Sequence, residues 1–360
     1  MKTKNIYIYG VSDSDNIGDN VICDTFTSIV KELNPNSRVQ LRSITFEPFI
    51  YCYLRKLFKI TGMADWLLML LNKWRGLYNC LWGKDKSLVI FAGGQLFYEC
   101  FISNISSIVK VAEEKGCDVS FYGCGSGVMS LDKQKQLSMI LGNKAISHIF
   151  LRDDYIGLRE EFSKIKIVPD VAICCDKLVK GVGGEKYNLV GVGTISIHNY
   201  NKQNTIQITQ EQYCRYISDL INIVRKLGYK VEIFTNGNKR DYEVANIIYS
   251  SYLSDNEVQI AKCPSTSQDL ISLISRYDYT IASRLHALII SYAFNVPFYG
   301  LSWDLKIPSF CNMIGVPNNF SDIGEFDVSK MINVFTTKYD EKERMRLREE
   351  VVKNIQIITL

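Results

Sequence analysis

The stretch YTIASRLHALIISYAFNVPFYGL, residues 279–301, decides the fold. Its opening, Tyr279 to Ala282, reads as the end of a buried strand, while Leu288 to Phe294 has the length and apolar spacing of a helix packed on a sheet. VPFYGLS (296–302) then resumes strand character. Strand, helix and strand in this order make a parallel β-α-β unit. Arg284 and His286 sit at the junction between the two apolar segments, where polar groups need a partner or a ligand.

The same rhythm runs outward in both directions. Towards the N-terminus the strand-like runs are NIYIYGV (5–11), SLVIFAGG (87–94), DVSFYGCG (118–125), HIFLRDD (148–154) and KIVPDVAI (166–173), with helical patterns between them. The segment DKLVKGVGGEKYN (176–188), carrying Gly181, Gly183 and Gly184, breaks the series and reads as a hinge. A second series follows with LVGVGTISI (189–197), KVEIFTNG (230–237), EVQIAK (257–262) and the opening stretch. The expected fold is therefore α/β, two doubly wound Rossmann-like domains facing a cleft, the layout called GT-B. The expected boundaries are 1–180, 181–325 and a C-terminal helical tail at 326–360.

Composition narrows the class. A chain with 47% hydrophobic and 22% charged residues is an ordinary globular protein rather than a disordered one. A net charge of +4 without a Lys/Arg stripe argues against nucleic acid as a partner. Eleven cysteines, an odd number with no C-x-x-C pair, read as reduced thiols in the cytoplasm; no secretory pattern precedes the first strand. Cys174 and Cys175 are read as core, and no cluster has metal-ligand spacing. No apolar run approaches the roughly 18 residues that a membrane span needs. The basic, aromatic stretch at 49–82 is read either as helices covering a sheet edge or as a peripheral contact with the inner membrane face.

In open α/β sheets ligands bind beyond the carboxyl ends of the strands, so the polar residues placed there are the candidates. After the first strand come Asn16, Gly18, Asp19 and Asn20, opening a helix whose unpaired N–H groups suit an anion or a hydroxyl. Gly93 and Gly94 follow a strand in FAGGQL, where a missing side chain permits close approach to backbone. The chain has neither the G-x-G-x-x-G dinucleotide fingerprint nor a Walker Gly-Lys-Ser/Thr. Gly123, Gly125 and Gly127 end the next strand. Arg152, with Asp153 and Asp154, offers a fork for an anion or a salt bridge to a neighbouring aspartate, and Asp170 follows Pro169. With Ser283 as N-cap, Arg284 and His286 occupy the first turn of a helix. There the helix dipole disfavours a charged imidazole and a bound anion favours one.

The loop SDNIGDN, the turn FAGGQL, the strand end FLRDD, the segment VPDVA and above all SRLHALIIS resemble the polysaccharide pyruvyl transferase family over most of residues 5–315. The resemblance implies a GT-B-like fold and transfer of a pyruvyl group from phosphoenolpyruvate to a sugar, giving a cyclic ketal and phosphate. By motif, Arg284 and His286 correspond to the family's donor-binding and catalytic pair and Arg152 to a further anion contact. Two departures stand out: the family's glycine triplet ends here in Gln95, and the insert at 49–82 has no general counterpart.

On that reading His286 donates a proton to the methylene carbon, and one of Asp170, Asp153 and Asp19, among which the sequence does not choose, supplies the general base. Lys306, in SWDLKIP, is expected either to neutralise the departing phosphate or to be a surface lysine. No metal or cofactor is expected; the partners are phosphoenolpyruvate, expected on the 181–325 domain, and a sugar, free or lipid-linked, expected on the 1–180 domain. The alternatives are a GT-B glycosyltransferase using a nucleotide sugar and a binding protein of the same fold that has lost its chemistry.

Overall fold

A computed structural model describes residues 5–45 and 87–360, apart from 128, 182–186, 204–206, 253–257, 326 and 337, together with Tyr53, Leu54, Lys56, Leu57, Leu67 and Leu70. The stretch at 49–82 thus lies almost wholly outside the described residues, as do Gly183 and Gly184 of the expected hinge. The chain divides into two compact units. The first comprises Met1–Asp13, Phe26–Asp170 and Val352–Leu360, and the second Ser14–Thr25 and Val171–Val351.

The first unit is built on a parallel sheet of strands β1 (Asn5–Gly10), β2 (Arg38–Ser43), β3 (Ser87–Ala92), β4 (Asp118–Cys124), β5 (Ile146–Leu151) and β6 (Ile165–Ile167). Their spatial order is β2-β1-β3-β4-β5-β6. Every residue of β3 is buried, as expected of a strand covered on both faces by crossover helices. The helix Glu99–Glu114 buries Ile102, Ile105, Val109 and Ala112, a stripe at helical spacing. Phe91 and Phe121 stack at 4.7 Å in the core of this sheet. The chain reverses direction across the sheet between β1 and β3, so Gly93 and Gly94 follow a strand at the switch point.

The second unit carries β7 (Leu189–Gly193), β8 (Lys230–Phe234), β9 (Val258–Ile260), β10 (Tyr279–Ala282), β11 (Phe298–Ser302) and β12 (Phe320–Asp322). Their order, β12-β11-β10-β7-β8-β9, is that of a doubly wound dinucleotide-binding sheet with its switch point between β7 and β10. The helix Gln210–Lys226 buries Tyr213, Ile217, Leu220, Ile221 and Val224 along one face. It starts with a reciprocal cap in which Thr209 Oγ1 accepts from the Gln212 N–H at 3.1 Å and Gln212 Oε1 accepts from the Thr209 N–H at 2.8 Å. Such a cap contributes about 1 kcal/mol. The helix Leu285–Ala293 is buried along its whole length.

Some elements differ from the sequence expectation. β2 is added, an edge strand whose alternating polar residues hide its character; the Arg42 guanidinium lies 4.7 Å from the Tyr7 ring centroid. The expected strand at 166–173 shrinks to β6, because Pro169 has no N–H to give a ladder and Val171–Leu178 coils into a 3-10 helix. The division between units falls at Asp170/Val171, before the glycine segment. There is no separate tail: the helix Glu341–Thr359 contributes to both units.

Candidate active site

The segment Ser14–Thr25, although it follows the first strand, clusters with the second unit. The Ile17 N–H donates to the carbonyl of Asn236, just beyond β8, at 2.7 Å. The Ser267 hydroxyl donates to Asp24 at 2.6 Å. Gly237 has φ +100°, and a Cβ there would lie 2.5 Å from Ile17 Cγ1 and 3.0 Å from the Asp15 carbonyl oxygen, so the seam requires glycine. Gly18 is a second such position: an added Cβ would come within 2.7 Å of both Cβ and Nδ1 of His286. The backbone at Gly18 and the imidazole are thus in direct contact, and His286 is buried.

Within this segment Asp19 is held by its own loop. Its Oδ2 accepts from the Ser14 hydroxyl at 3.0 Å and from Asn16 Nδ2 at 3.2 Å, while its N–H donates to the Asn16 carbonyl at 3.0 Å. The first turn of the helix Ile17–Leu33 therefore presents a preformed polar edge.

Arg284 closes the other side. The helix begins at Leu285, so Arg284 rather than Ser283 is its cap residue, with extended φ/ψ of −94° and 119° and no side-chain cap bond. Its side chain is engaged elsewhere, since Nε and Nη2 donate to Asp241 Oδ2 at 2.9 and 2.7 Å. The Asp241 side chain is fully buried, and its Oδ1 accepts from the Ser196 N–H at 2.8 Å. A guanidinium balanced in this way is an oriented donor fork rather than a bare charge. Nη1 has no partner among the described residues. Tyr213, whose oxygen accepts from the Ile195 N–H at 3.1 Å, lies beneath; burial pushes its phenol well above the usual range and keeps it neutral.

Lys306 belongs to the same neighbourhood. Trp303 Nε1 donates to the Ser283 carbonyl at 2.8 Å, and the Lys306 ammonium lies 5.5 Å from the Trp303 ring centroid. It also pairs with Asp304 at 2.9 Å, so its charge is partly balanced.

The fold thus brings together Asn16, Gly18, Asp19, Arg284, His286 and, through Trp303, Lys306. Gly93, Gly94, Arg152 and Asp170 belong to the first unit. Gly93 and Gly94 have φ of 60° and 70°. Gly93 donates to the Tyr122 carbonyl at 2.6 Å, and the Gly94 carbonyl accepts from the Gly125 N–H at 2.8 Å. This turn needs glycine for its own shape.

Arg152 and Asp170 depart from the expectation of an anion contact and a general base. Arg152 Nε donates to Asp153 at 3.2 Å and Nη1 to Asp170 at 2.8 Å, all three side chains being buried. The remaining Nη2 packs on Gly125, where an added Cβ would lie 2.7 Å from it. Burial alone works against the charge, but Asp153 and Asp170 together hold the Arg152 pKa above its ordinary value. Asp153 also accepts from the Ser126 N–H at 2.8 Å. The triad closes on itself because a buried guanidinium without carboxylates would be prohibitively costly. Asp241 and Asn236 were not among the expected site residues; the only sequence signal was the polar run TNGNKRD after a strand.

Two parallel, doubly wound sheets in one chain, with polar residues gathered at a switch point, define a two-domain α/β protein of the GT-B type. Solved structures share this fold. UDP-GlcNAc 2-epimerase from Methanocaldococcus jannaschii matches with TM-score 0.57 at 13% identity, over 99% of this chain and 99% of that chain. The same enzyme in complex with UDP-GlcNAc and UDP matches with TM-score 0.54 at 12% identity, over 96% and 98%. S. aureus MnaA with UDP matches with TM-score 0.57 at 11% identity, over 98% and 91%. No curated protein sequence matches the chain. The chain belongs to the polysaccharide pyruvyl transferase family, whose sequence profile matches residues 16–304.

Proposed function

We propose that the protein transfers the enolpyruvyl-derived group of phosphoenolpyruvate to two hydroxyls of a sugar, in a cell-surface polysaccharide or its lipid-linked precursor, forming a cyclic ketal and releasing phosphate. One observation carries this reading: Arg284, oriented by buried Asp241, stands two residues from His286, which packs on Gly18 in the second unit. The pair follows β10, one of the two strands at that unit's switch point. Family membership supplies the reaction class.

The donor carries a carboxylate and a phosphate. Arg284 Nη1 binds one of them, and Lys306 meets the departing phosphate after releasing Asp304. Protonated His286 gives its proton to the methylene carbon, which becomes a methyl group, while a sugar hydroxyl attacks C2 and loses its proton to a carboxylate. Asp19 is the carboxylate we assign, because it lies one residue from Gly18, whereas Asp170 is committed to Arg152. The C–O bond to phosphate then breaks as the second hydroxyl closes the ring. Of the two hydroxyl protons, one restores His286 by way of the base and the other leaves with phosphate, so the reaction balances with no further reactant.

The test is incubation of the protein with phosphoenolpyruvate and a panel of free and lipid-linked sugars, with phosphate and product measured together. Phosphate and ketal in equal amounts support the reading. Release of a nucleotide from a nucleotide sugar, or binding of phosphoenolpyruvate without turnover, overturns it in favour of a glycosyltransferase or of a binding protein.

A further inference from the structure

Asn236 is 1% exposed, and neither its amide oxygen nor its amide nitrogen has a hydrogen-bond partner among the described residues. Two more buried amide oxygens, those of Asn16 and Asn20, are likewise unsatisfied. These are not scattered. The Asn236 carbonyl takes the Ile17 N–H at 2.7 Å, which puts Asn236 against the start of the helix Ile17–Leu33. Asn16 immediately precedes that helix and Asn20 lies one turn on, at the i,i+4 spacing that shares a face. Between them Gly18 touches the His286 ring. Leaving a buried polar atom unpaired costs about 1–3 kcal/mol, so three amides doing so in one place call for a ligand that completes them.

The chemistry of that ligand follows from a count of donors and acceptors. Asn16 Nδ2 already donates to the Asp19 carboxylate, which fixes that amide's orientation and leaves its oxygen seeking a donor. Asn20 adds a second oxygen and Asn236 a third, against one buried amide nitrogen without a partner among the described residues, Asn236 Nδ2. Because both Asn236 atoms are unsatisfied, this balance is the same whichever way round its amide lies. An ionised phosphate or carboxylate offers acceptors only and would leave the oxygens unmet; a bare cation would leave Nδ2 unmet. Hydroxyl groups donate and accept at once.

We propose that Asn236, with Asn16 and Asn20, forms a hydroxyl-binding subsite for a sugar beside His286, Asn236 being its specificity-determining residue. In the reaction assigned above this sugar is the acceptor, and to that extent the inference rests on that reading. Asn236 grips one hydroxyl through both amide atoms, and the Asn16 and Asn20 oxygens receive neighbouring hydroxyls. The arrangement selects for two hydroxyls held close together on one sugar, the feature that closing a cyclic ketal requires.

The test uses methyl glycosides of galactose, mannose and N-acetylglucosamine as probes, observed by ligand NMR on the full-length protein. At least one binds the wild type, and Asn236→Leu weakens it roughly tenfold or more while the unfolding midpoint stays level or rises, since two unsatisfied polar atoms leave the interior. Asn20→Leu, at a half-buried position, weakens the same probe as a check independent of Asn236. Failure of all three probes to bind the wild type overturns the inference. So does equal binding by both variants, and so does a lower midpoint in Asn236→Leu with binding per folded molecule unchanged. Phosphoenolpyruvate binding to the wild type, measured separately, distinguishes the two readings. Its absence alongside Asn236-dependent glycoside binding removes the assigned reaction only, whereas its presence with glycoside binding indifferent to Asn236 removes the subsite only.

Discussion

Gly18 and His286 are in contact so close that a single methyl group at Gly18 would stand 2.7 Å from the imidazole Nδ1. The glycine thereby sets where the ring of the assigned proton donor lies. Because the clash takes in the His286 Cβ as well as Nδ1, Gly18→Ala is expected to displace the ring together with the backbone turn that carries it. Misplacement of a catalytic group on the ångström scale costs about 10²-fold in rate. We predict a fall of about that size in kcat/KM of the folded protein, with a stability loss of about 1–3 kcal/mol from the clash, read from steady-state phosphate release and calorimetry.

Asp241 orients Arg284, so its loss should be felt through the donor. Asp241→Asn keeps the shape and the bond from Ser196 but removes the charge balancing the guanidinium. The donor KM should rise, with a stability loss of about 1–3 kcal/mol. In an Arg284→Met background the same substitution should add little to the loss of kcat/KM, a non-additivity that a double-mutant cycle measures.

Arg152 gives the opposite pattern. Its partners Asp153 and Asp170 are both buried, and Arg152→Met would leave two carboxylates uncompensated. We predict a destabilisation of about 3–5 kcal/mol, seen as a lowered urea midpoint. The donor KM of the fraction that stays folded should be nearly unchanged. A raised KM with unaltered stability would restore Arg152 to the anion contact expected from sequence.

The thiols give a test of the cores. Among the described cysteines, Cys23, Cys117, Cys124, Cys174, Cys175, Cys214 and Cys311 are buried, whereas Cys100 is exposed and Cys263 partly so. Burial pushes the Cys311 thiol up to about 12 and holds Cys175 well above its usual range. Since the thiolate is the reactive form, brief alkylation near neutral pH should label Cys100 and Cys263 and spare the seven buried residues until denaturant is added. Mass spectrometry of the digested protein reads this directly.

The fold was legible because parallel strands buried on both faces leave continuous apolar runs, and SLVIFA, DVSFYGC and YTIA each declare themselves. β2 was not legible: RVQLRS lies at a sheet edge and keeps alternating polar residues. Arg284 and His286 stood out because polar groups at a buried strand-helix junction are costly. Asp241 did not stand out, since an aspartate early in a helix usually serves the helix itself, and only the fold shows its carboxylate turned to Arg284. The pairing of Gly18 with His286 had no local signature, because it depends on Ser14–Thr25 clustering with the second unit.

We assign to His286 the delivery of the proton that converts the donor's methylene carbon into a methyl group. It is tested most directly by following phosphate release from phosphoenolpyruvate with an accepted sugar, comparing the wild type with His286→Ala. A loss of about 10²–10⁴-fold in kcat at an unchanged thermal midpoint is expected. Phosphate release at the wild-type rate from a folded His286→Ala protein would contradict it.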